Sequence, residues 1–283
     1  MPLRSMLHKI KSMISAPAES GQNVLDWYVA SAPAPQNALD IFRGEWSSRL
    51  PAPLAQCQAG NANLFEDDRV TWFADQIGGI EGKTALELGP LEGGHSYMLE
   101  KLGAESVVAV EGNTRAYLKC LVVKELLDLR RVRFLCGDFL AYLRADDGTR
   151  FDMCLASGVL YHMQDPVELI AGLARKCKSH LLLWTHYYDE GIIRNSPVLA
   201  PKFTGATTAV HEGFQHTLHR QEYQTALKWG GFCGGTAPTS NWMSREDILA
   251  CLRHFGFQDL RIAFDHRDHP NGPAFAVAAT RGA

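Results

Sequence analysis

Residues 84 to 96 read TALELGPLEGGHS, and this stretch decides the fold. An apolar run ends in Glu87 and Gly89, and two more glycines, Gly93 and Gly94, follow at once. A strand, a glycine turn and the start of a helix, in that order, place backbone N–H groups and the positive end of a helix dipole above the strand. The stretch therefore predicts a cradle for a nucleotide or nucleoside.

A regular alternation of strands and helices follows the cradle. The pattern predicts strands at 84–88, 106–111, 132–136, 151–157 and 180–185, with helices between them, which is typical of a parallel sheet. Two later runs, LRIAFD and AFAVAAT, are joined through HPNG and predict an antiparallel hairpin at the sheet edge. We therefore expect an α/β protein with a Rossmann-like, seven-stranded, mostly parallel sheet that ends in a C-terminal antiparallel hairpin.

The chain is predicted to divide into an N-terminal extension, residues 1–60, and a nucleotide-binding domain, residues 61–283. A basic amphipathic segment at 3–14 is a frayed terminus or a helix that touches a partner or a membrane surface. After the fifth strand the alternation stops, and residues 187–243 form an insertion. A segment of this length inside a compact domain is usually functional or mobile, so we interpret it as a lid that covers the substrate.

Composition narrows the class of protein. The 283 residues carry a formal net charge of −3 and are 46% hydrophobic, as in an ordinary globular protein. This balance gives no global attraction to nucleic acid, although a local basic groove remains compatible with it. No apolar run is long enough to span a membrane. Seven cysteines without C-x-x-C spacing suit a reducing compartment, and we expect a cytoplasmic protein without a secretory signal.

Three acidic side chains stand where a nucleoside cofactor needs hydrogen-bond acceptors. Glu111 ends the second strand, where an acid accepts hydrogen bonds from a ribose diol. Asp138, in CGDFLAYL after the third strand, is placed to meet the exocyclic amine of an adenine. Glu87 stands two residues before Gly89, which is typical of loops that bind S-adenosylmethionine, where the acid orients the loop and the methionine amino group. With the hairpin ending, these features favour the class I methyltransferase fold.

A resemblance to a known family becomes specific at residues 157–170, SGVLYHMQDPVELI. The run GVLYH is similar to the segment after the fourth strand in the tRNA wobble-uridine carboxymethyltransferases, a branch of the class I methyltransferases. The likeness extends from about Phe73 to Ala263 and includes a histidine at the position of His95. It implies that the cofactor is S-adenosylmethionine.

The resemblance also implies which residues border the cofactor: Glu87, Gly89, Gly93, Glu111, Asp138 and Ser157, with His95, Gly112 and Phe139 beside them completing the predicted set. Tyr161 would face the transferred group. His162 and His186 follow the fourth and fifth strands, at the carboxyl ends where open α/β sheets bind ligands. Either histidine is suited to act as a general base, so these three side chains are the catalytic candidates.

The acceptor is the least determined part of the prediction. The relatives hold a carboxylated cofactor through basic residues, and before the first strand this chain offers only Arg69. We therefore expect ordinary S-adenosylmethionine and transfer of a methyl group. The predicted acceptor is an oxygen or nitrogen of a small molecule or sugar-containing metabolite, and the alternative within enzymes is a tRNA wobble uridine.

Three alternatives stay open at this point. The histidines of HEGFQHTLH, residues 211–219, have a spacing that suggests metal ligation, but they do not form H-E-x-x-H. We predict no metal and a lid whose histidines bond locally. The glycine loop loosely matches a dinucleotide loop, except that Leu91 stands where the second glycine should be, so a nicotinamide-dependent oxidoreductase stays open. Leu91 and the bulky PLE loop leave open a non-catalytic nucleoside-binding module. The sequence does not decide the oligomeric state.

Overall fold

The computed structural model describes residues 28–145, 147–229 and 231–282. The amphipathic segment at 3–14 lies outside the described residues. The described strands are, in chain order, β1 (Thr84–Leu88), β2 (Ser106–Glu111), β3 (Val132–Cys136), β4 (Phe151–Ser157), β5 (Cys177–His186), β6 (Phe203–His211), β7 (Phe214–Glu222), β8 (Thr239–Trp242), β9 (Phe257–His266) and β10 (Ala274–Arg281).

Seven of these strands form one sheet with the order β3-β2-β1-β4-β5-β10-β9. β1 to β5 run parallel, and β10 lies antiparallel to both β5 and β9. The prediction of a Rossmann-like, seven-stranded sheet with a C-terminal antiparallel hairpin is confirmed. The chain order reverses between β1 and β4, and open α/β sheets bind ligands outside the carboxyl ends of the strands at such a point.

The described helices are α1 (Pro35–Leu39), α2 (Asp68–Gln76), α3 (Gly94–Lys101), α4 (Thr114–Leu126), α5 (Phe139–Arg144), α6 (Pro166–Lys176), α7 (Glu190–Asn195) and α8 (Arg245–His254). The side chains of Asn113 and Asp138 begin α4 and α5 by accepting backbone N–H bonds. Because α4 and α5 start directly after β2 and β3, their first turns lie at the edge of the sheet where the ligand is expected.

Residues 28–67, which we call the N-terminal segment, share their core with the sheet. Leu39, Phe42 and Trp46 follow one another at spacings of three and four and are buried together with side chains of β2 and α4. Leu50 and Leu54 continue this apolar contact. Apolar side chains on both sides of the predicted boundary at residue 60 thus belong to one core, and the division at that residue stays a prediction.

The insertion after β5 contains a second, smaller sheet. β6, β7 and β8 form it in that order, and all pairs are antiparallel. Glu212 and Gly213, with φ of +46° and +82°, make the two-residue turn between β6 and β7, which is the turn that suits a tight hairpin. No helix in the described part of the chain combines the length and the apolarity needed to cross a membrane.

Candidate functional site

A cavity of about 1270 Å³ lies along the carboxyl ends of β1 to β5. Nine predicted site residues line it: Gly89, His95, Glu111, Gly112, Asp138, Phe139, Ser157, Tyr161 and His162. Three others, Glu87, Gly93 and His186, are not among its lining residues. The structure therefore gathers most of the predicted cofactor set and two of the three catalytic candidates around one space.

The glycine loop turns sharply between β1 and α3. Gly89 and Gly93 have φ of +66° and +80°, and Leu91 between them has φ of +56°. A left-handed backbone costs a side-chain-bearing residue about 1 to 2 kcal/mol. Leu91 donates its N–H to Oε2 of Glu111 at 3.0 Å. Leu91 thus has a backbone conformation that is typical of glycine. Its hydrogen bond ties the loop to Glu111 at the end of β2.

Gly94, at the start of α3, lets the N-terminal segment cross the loop. A Cβ on Gly94 would lie 2.4 Å from the carbonyl oxygen of Leu64. Asn63 and Leu64 line the cavity beside Gly94. A side chain at this position would therefore push away part of the cavity wall.

Replacing Gly94 by alanine is expected to lower the free energy of unfolding by about 2 kcal/mol, because the added methyl group must displace backbone. Thermal unfolding followed by circular dichroism measures the loss. Gly137→Ala is the matched control, since a Cβ there meets nothing within 4 Å. A Gly94→Ala protein as stable as the control would contradict the close crossing.

Glu92 anchors the N-terminal segment to the loop, a contact that the sequence did not predict. Its carboxylate accepts the backbone N–H groups of Ser47 and Ser48, both at 2.8 Å. The ammonium group of Lys119 lies 3.3 Å from Oε1 of Glu92. Both charged side chains are buried, so each compensates the charge of the other inside the protein.

Glu111 is buried in the wall of the cavity. Oε2 accepts the N–H of Leu91, and Oε1 accepts the N–H of Asn113 at 2.8 Å. Burial raises the pKa of Glu111, and the hydrogen bonds from Asn113 and Leu91 offset part of that rise. A carboxylate has about four lone-pair sites, so the side chain keeps acceptor capacity for a ligand.

Glu87 lies behind the cavity wall instead of facing the cofactor space. It accepts a hydrogen bond from the hydroxyl of Ser96, and its Oε1 is 3.6 Å from Nδ1 of His95. Burial raises the pKa of Glu87. The predicted contact of Glu87 with a methionine amino group is therefore not part of this arrangement, because the carboxylate contacts Ser96 and His95 in the first turn of α3 and does not line the cavity.

Asp67, before α2, lines the cavity in this region together with its neighbours Glu66 and Asp68. Nε2 of His95 is 2.9 Å from Oδ2 of Asp67, and Arg69 bonds both carboxylate oxygens. Burial alone would raise the pKa of Asp67, but the hydrogen bonds from His95 and Arg69 hold it well below its usual range. The guanidinium of Arg69 lies 4.5 Å from the ring centroid of Trp184. An ion pair and a cation–π contact thus fix Arg69 at the cavity wall.

Tyr161 and His162 lie where the fourth strand passes into the next turn. Burial raises the pKa of the Tyr161 hydroxyl well above its usual range. Burial, with the neighbouring His186, lowers the pKa of His162 to about 4. Nδ1 of His162 is 2.7 Å from the hydroxyl of Tyr223 in the insertion. Tyr223 supports His162, and no sequence pattern singles it out.

His186 lies behind the cavity wall and packs against Tyr161, which lines the cavity. Its Nδ1 is 2.7 Å from the carbonyl oxygen of Gly272, and its ring stacks on Trp242 at 5.4 Å and 9°. The ring of Tyr161 packs against it at 4.7 Å. Burial lowers the pKa of His186 to about 4. The prediction that His186 is a general base in the cavity does not fit this position, because Gly272 in the turn before β10 and Trp242 of β8 enclose the ring.

The low pKa values of His162 and His186 predict how stability depends on pH. Each group has a folded-state pKa of about 4, below the ordinary value of 6.5. The unfolded chain therefore binds more protons between these values, and stability that is present above pH 6.5 is lost as the pH falls towards 4. Each histidine contributes a slope of at most about 1.4 kcal/mol per pH unit.

Urea unfolding at several pH values measures this slope. His186→Asn keeps a hydrogen-bond donor for the carbonyl of Gly272. This variant is expected to reduce the slope of the free energy of unfolding against pH, between pH 6.5 and 4, by the contribution of one histidine. An unchanged slope in this variant would show that His186 titrates normally in the folded protein.

The histidines of HEGFQHTLH contact different partners. His211 pairs with Asp165 at 3.0 Å, and His219 stacks on Tyr188 at 3.6 Å. Nδ1 of His216 is 3.2 Å from the carbonyl oxygen of Phe214. Across the ranges that the structure describes, no three histidine, cysteine or acidic side chains gather into a group that would hold a metal ion.

The end of the chain supplies a wall that the sequence did not predict. Phe264, His266 and His269, from β9 and the hairpin turn, line the cavity. Phe264 has φ of +51°, at an irregularity in the pairing of β9 with β10. Such a backbone is strained for a bulky residue, and strain of this kind is concentrated at functional sites. A sequence that reads as an ordinary strand gave no sign of it.

Comparison with known proteins agrees with this fold and cavity. Residues 86–183 match the family profile described as a methyltransferase domain. The N-terminal domain of EvdMO1, solved with SAH bound, is 19% identical with a TM-score of 0.65, over 88% of this chain and 95% of that chain. Magnesium protoporphyrin IX methyltransferase from Synechocystis PCC 6803, with bound SAH, is 16% identical with a TM-score of 0.51, over 76% and 81%.

A third structure with the same fold is the 1,6-didemethyltoxoflavin-N1-methyltransferase of Burkholderia thailandensis, 13% identical with a TM-score of 0.50, over 78% of this chain and 79% of that chain. No curated protein matches the chain significantly. At these identities the solved structures show the fold, and the profile match from β1 into β5 identifies a methyltransferase domain over those residues.

Residues 86–183 form a methyltransferase domain, and the sheet around it has the fold of class I S-adenosylmethionine-dependent methyltransferases. The hypothesis of a nicotinamide-dependent oxidoreductase does not hold, because β10 runs antiparallel beside β5 where a dinucleotide fold continues with a parallel strand. The narrower likeness to the tRNA wobble-uridine carboxymethyltransferases stays a prediction.

Proposed function

We propose that the methyltransferase domain transfers a methyl group to an oxygen or nitrogen of a small, sugar-containing acceptor. The size of the cavity carries this proposal. A pocket for one drug-sized ligand has about 300 to 1,000 Å³, whereas this cavity has about 1270 Å³. It has room for the cofactor and for a second ligand beside it.

The glycine-loop end of the cavity fits the adenosine part of the cofactor. A Cβ on Gly89 would lie 3.1 Å from Val159, so glycine leaves the backbone bare at the cavity wall. Glu111 keeps lone pairs for two ribose hydroxyls beyond those used for Leu91 and Asn113. Asp138 uses Oδ1 to cap α5 and keeps Oδ2 for an adenine amine. We assign the carboxylates of Glu111 and Asp138 and the bare backbone at Gly89 to the nucleoside.

Asp67 and Arg69 fit the methionine part. The amino-acid end of S-adenosylmethionine carries one carboxylate and one ammonium group. An arginine and an aspartate fixed side by side offer one group of each opposite charge. Both side chains line the cavity. In this proposal they take the role that the sequence had suggested for Glu87.

The cavity wall beside the methionine part supports an uncharged, hydroxylated acceptor. Arg69 covers one face of Trp184, and Phe264, which also lines the cavity, offers an aromatic ring against which the apolar face of a sugar ring packs. His269 and Gln164 add groups that exchange hydrogen bonds with hydroxyls. The N-terminal domain of EvdMO1 has also been crystallised in the presence of SAH and D-fucose, which supports a sugar as the kind of acceptor to test first.

S-adenosylmethionine supplies an electrophilic methyl group on a sulfonium. The residues of the chain therefore have to hold the acceptor in line and exclude water. His162 is the proposed base for the acceptor proton. The hydroxyl of Tyr223 is 3.4 Å from the carbonyl oxygen of Gly234; when it donates there, it accepts the N–H of Nδ1, and Nε2 of His162 keeps a free lone pair. The lowered pKa keeps this ring neutral at pH 7.

Isotope transfer tests the proposed function. The protein is incubated with S-adenosylmethionine labelled at the methyl group and with three sets of acceptors: hydroxylated sugar derivatives, nitrogen heterocycles and unmodified tRNA. Label in a sugar derivative supports the proposal. Label in tRNA alone would overturn it in favour of the wobble-uridine alternative.

The same assay tests the proposed base. His162→Asn is expected to lower kcat about a hundredfold or more, while calorimetry still shows S-adenosylhomocysteine binding. Equal activity in the variant and the native protein would contradict the role of His162.

A further inference from the structure

The outer edge of β6 has no partner among the residues that the structure describes. β6 pairs with β7 on one side and lies at the edge of the small sheet. A two-residue turn makes His211 and Phe214 a hydrogen-bonded pair, and such pairs alternate along an antiparallel ladder. The N–H and C=O groups of Ala206, Thr208 and Val210 therefore point away from β7. No described residue bonds them.

Usual protection of an edge strand is almost absent from β6. Its sequence, FTGATTAVH, contains no lysine, acidic residue or proline, which are the residues that keep edge strands from pairing with other chains. A pairing irregularity occurs only at its start, between Phe203 and Gly205. Most of the strand is exposed, and Val210 is 67% exposed. Such a strand is a template for the addition of another strand.

The charges at the two ends of β6 complement each other. Lys202 precedes the strand and Glu212 follows it. In an antiparallel pairing of two copies with Ala206 opposite Thr208, the start of each β6 meets the end of the other, which brings Lys202 of each copy near Glu212 of the other. Lys202 ends a short 3₁₀ helix and Glu212 lies in the hairpin turn, so these charges meet just outside the paired strands. The neutral pairs between the ends, such as Thr207 with Thr207, bring no like charges together.

We propose that two copies of this chain associate through β6 about a two-fold axis, so that their small sheets join into one continuous sheet. The two-fold arrangement uses the same surface on both copies, as most homodimers do. A strand edge is self-complementary in this arrangement because each outward N–H meets an outward carbonyl. The β6 residues do not line the cavity, so the association does not depend on the proposed function.

Sedimentation velocity of the full chain over a wide range of concentration tests the association, with a dimer as the expected result. Thr208→Pro removes an N–H group that points away from β7, and it leaves the hydrogen bonds between β6 and β7 in place. It is expected to raise the dimer dissociation constant at least about tenfold. Thr208→Val, which keeps the N–H and the strand preference, is the matched control and is expected to remain dimeric. Circular dichroism checks that both variants keep the native fold.

Charge exchange tests the register. Lys202→Glu is expected to weaken the dimer several-fold, and the double variant Lys202→Glu/Glu212→Lys is expected to restore it. Glu212 also pairs with Arg175 of its own chain at 2.9 Å, but both groups are half exposed and this pair contributes little. A native chain that stays monomeric, a Thr208→Pro dimer of native affinity, or a double variant no tighter than Lys202→Glu would overturn the proposal.

Discussion

Glu92→Ala is expected to lower the free energy of unfolding by about 3 to 5 kcal/mol, because it leaves the charge of Lys119 buried without its partner. The carbonyl oxygen of Glu45 would then be the remaining hydrogen-bond acceptor of the Lys119 ammonium group among the described residues. The N–H groups of Ser47 and Ser48 would lose their acceptor. Urea unfolding at pH 7 measures the loss, and the N-terminal segment is expected to become sensitive to limited proteolysis.

Two controls separate this anchor from an ordinary surface charge. Glu190→Ala removes an exposed pair with Arg194 and is expected to change stability by less than about 0.5 kcal/mol. The double variant Glu92→Gln/Lys119→Met, which removes both charges, is expected to be more stable than Glu92→Ala. If Glu92→Ala behaves like the surface control, the carboxylate does not hold the segment.

Glu111→Ala is expected to weaken S-adenosylhomocysteine binding by about 3 kcal/mol, roughly a hundredfold, because a charged acceptor for the ribose hydroxyls is lost. Isothermal titration calorimetry measures the change. The variant also removes the acceptor for the N–H groups of Leu91 and Asn113, so its thermal unfolding has to be compared with that of the native protein.

A ligand without the amino-acid end shows which part of the site has changed. Methylthioadenosine has the ribose but lacks the methionine carboxylate and ammonium groups. Glu111→Ala should therefore weaken both ligands alike, whereas Arg69→Ala should weaken S-adenosylhomocysteine and leave methylthioadenosine unchanged. Native affinity for both ligands in Glu111→Ala would contradict the assignment of Glu111 to the ribose.

The strands, the glycine loop and the acid that ends β2 could be predicted because their signals are local. An apolar run followed by glycines fixes β1 and its turn within a few residues, and the position of Glu111 follows from the end of β2. The edge where ligands bind then follows from the topology alone. The sequence therefore placed Glu111, Asp138 and Tyr161 around one space before their distances were known.

The remaining parts of the site depend on contacts that the sequence does not encode locally. Glu92 bonds Ser47 across 45 residues, and no pattern in either segment identifies the other. The role expected of Glu87 belongs to Asp67 in the present proposal, because Glu87 bonds Ser96 in the first turn of α3 and Asp67 lies in the cavity wall. His186 stands at the end of a strand as predicted, but its ring bonds Gly272 in the turn before β10.

Calorimetric titration of the native protein with S-adenosylhomocysteine, with NADH as the control ligand, tests whether the cavity is a site for S-adenosylmethionine. We expect saturable binding of one S-adenosylhomocysteine per chain at micromolar concentration and no heat from NADH. Binding of NADH alone, or of neither ligand, would contradict the assignment of the cavity to S-adenosylmethionine.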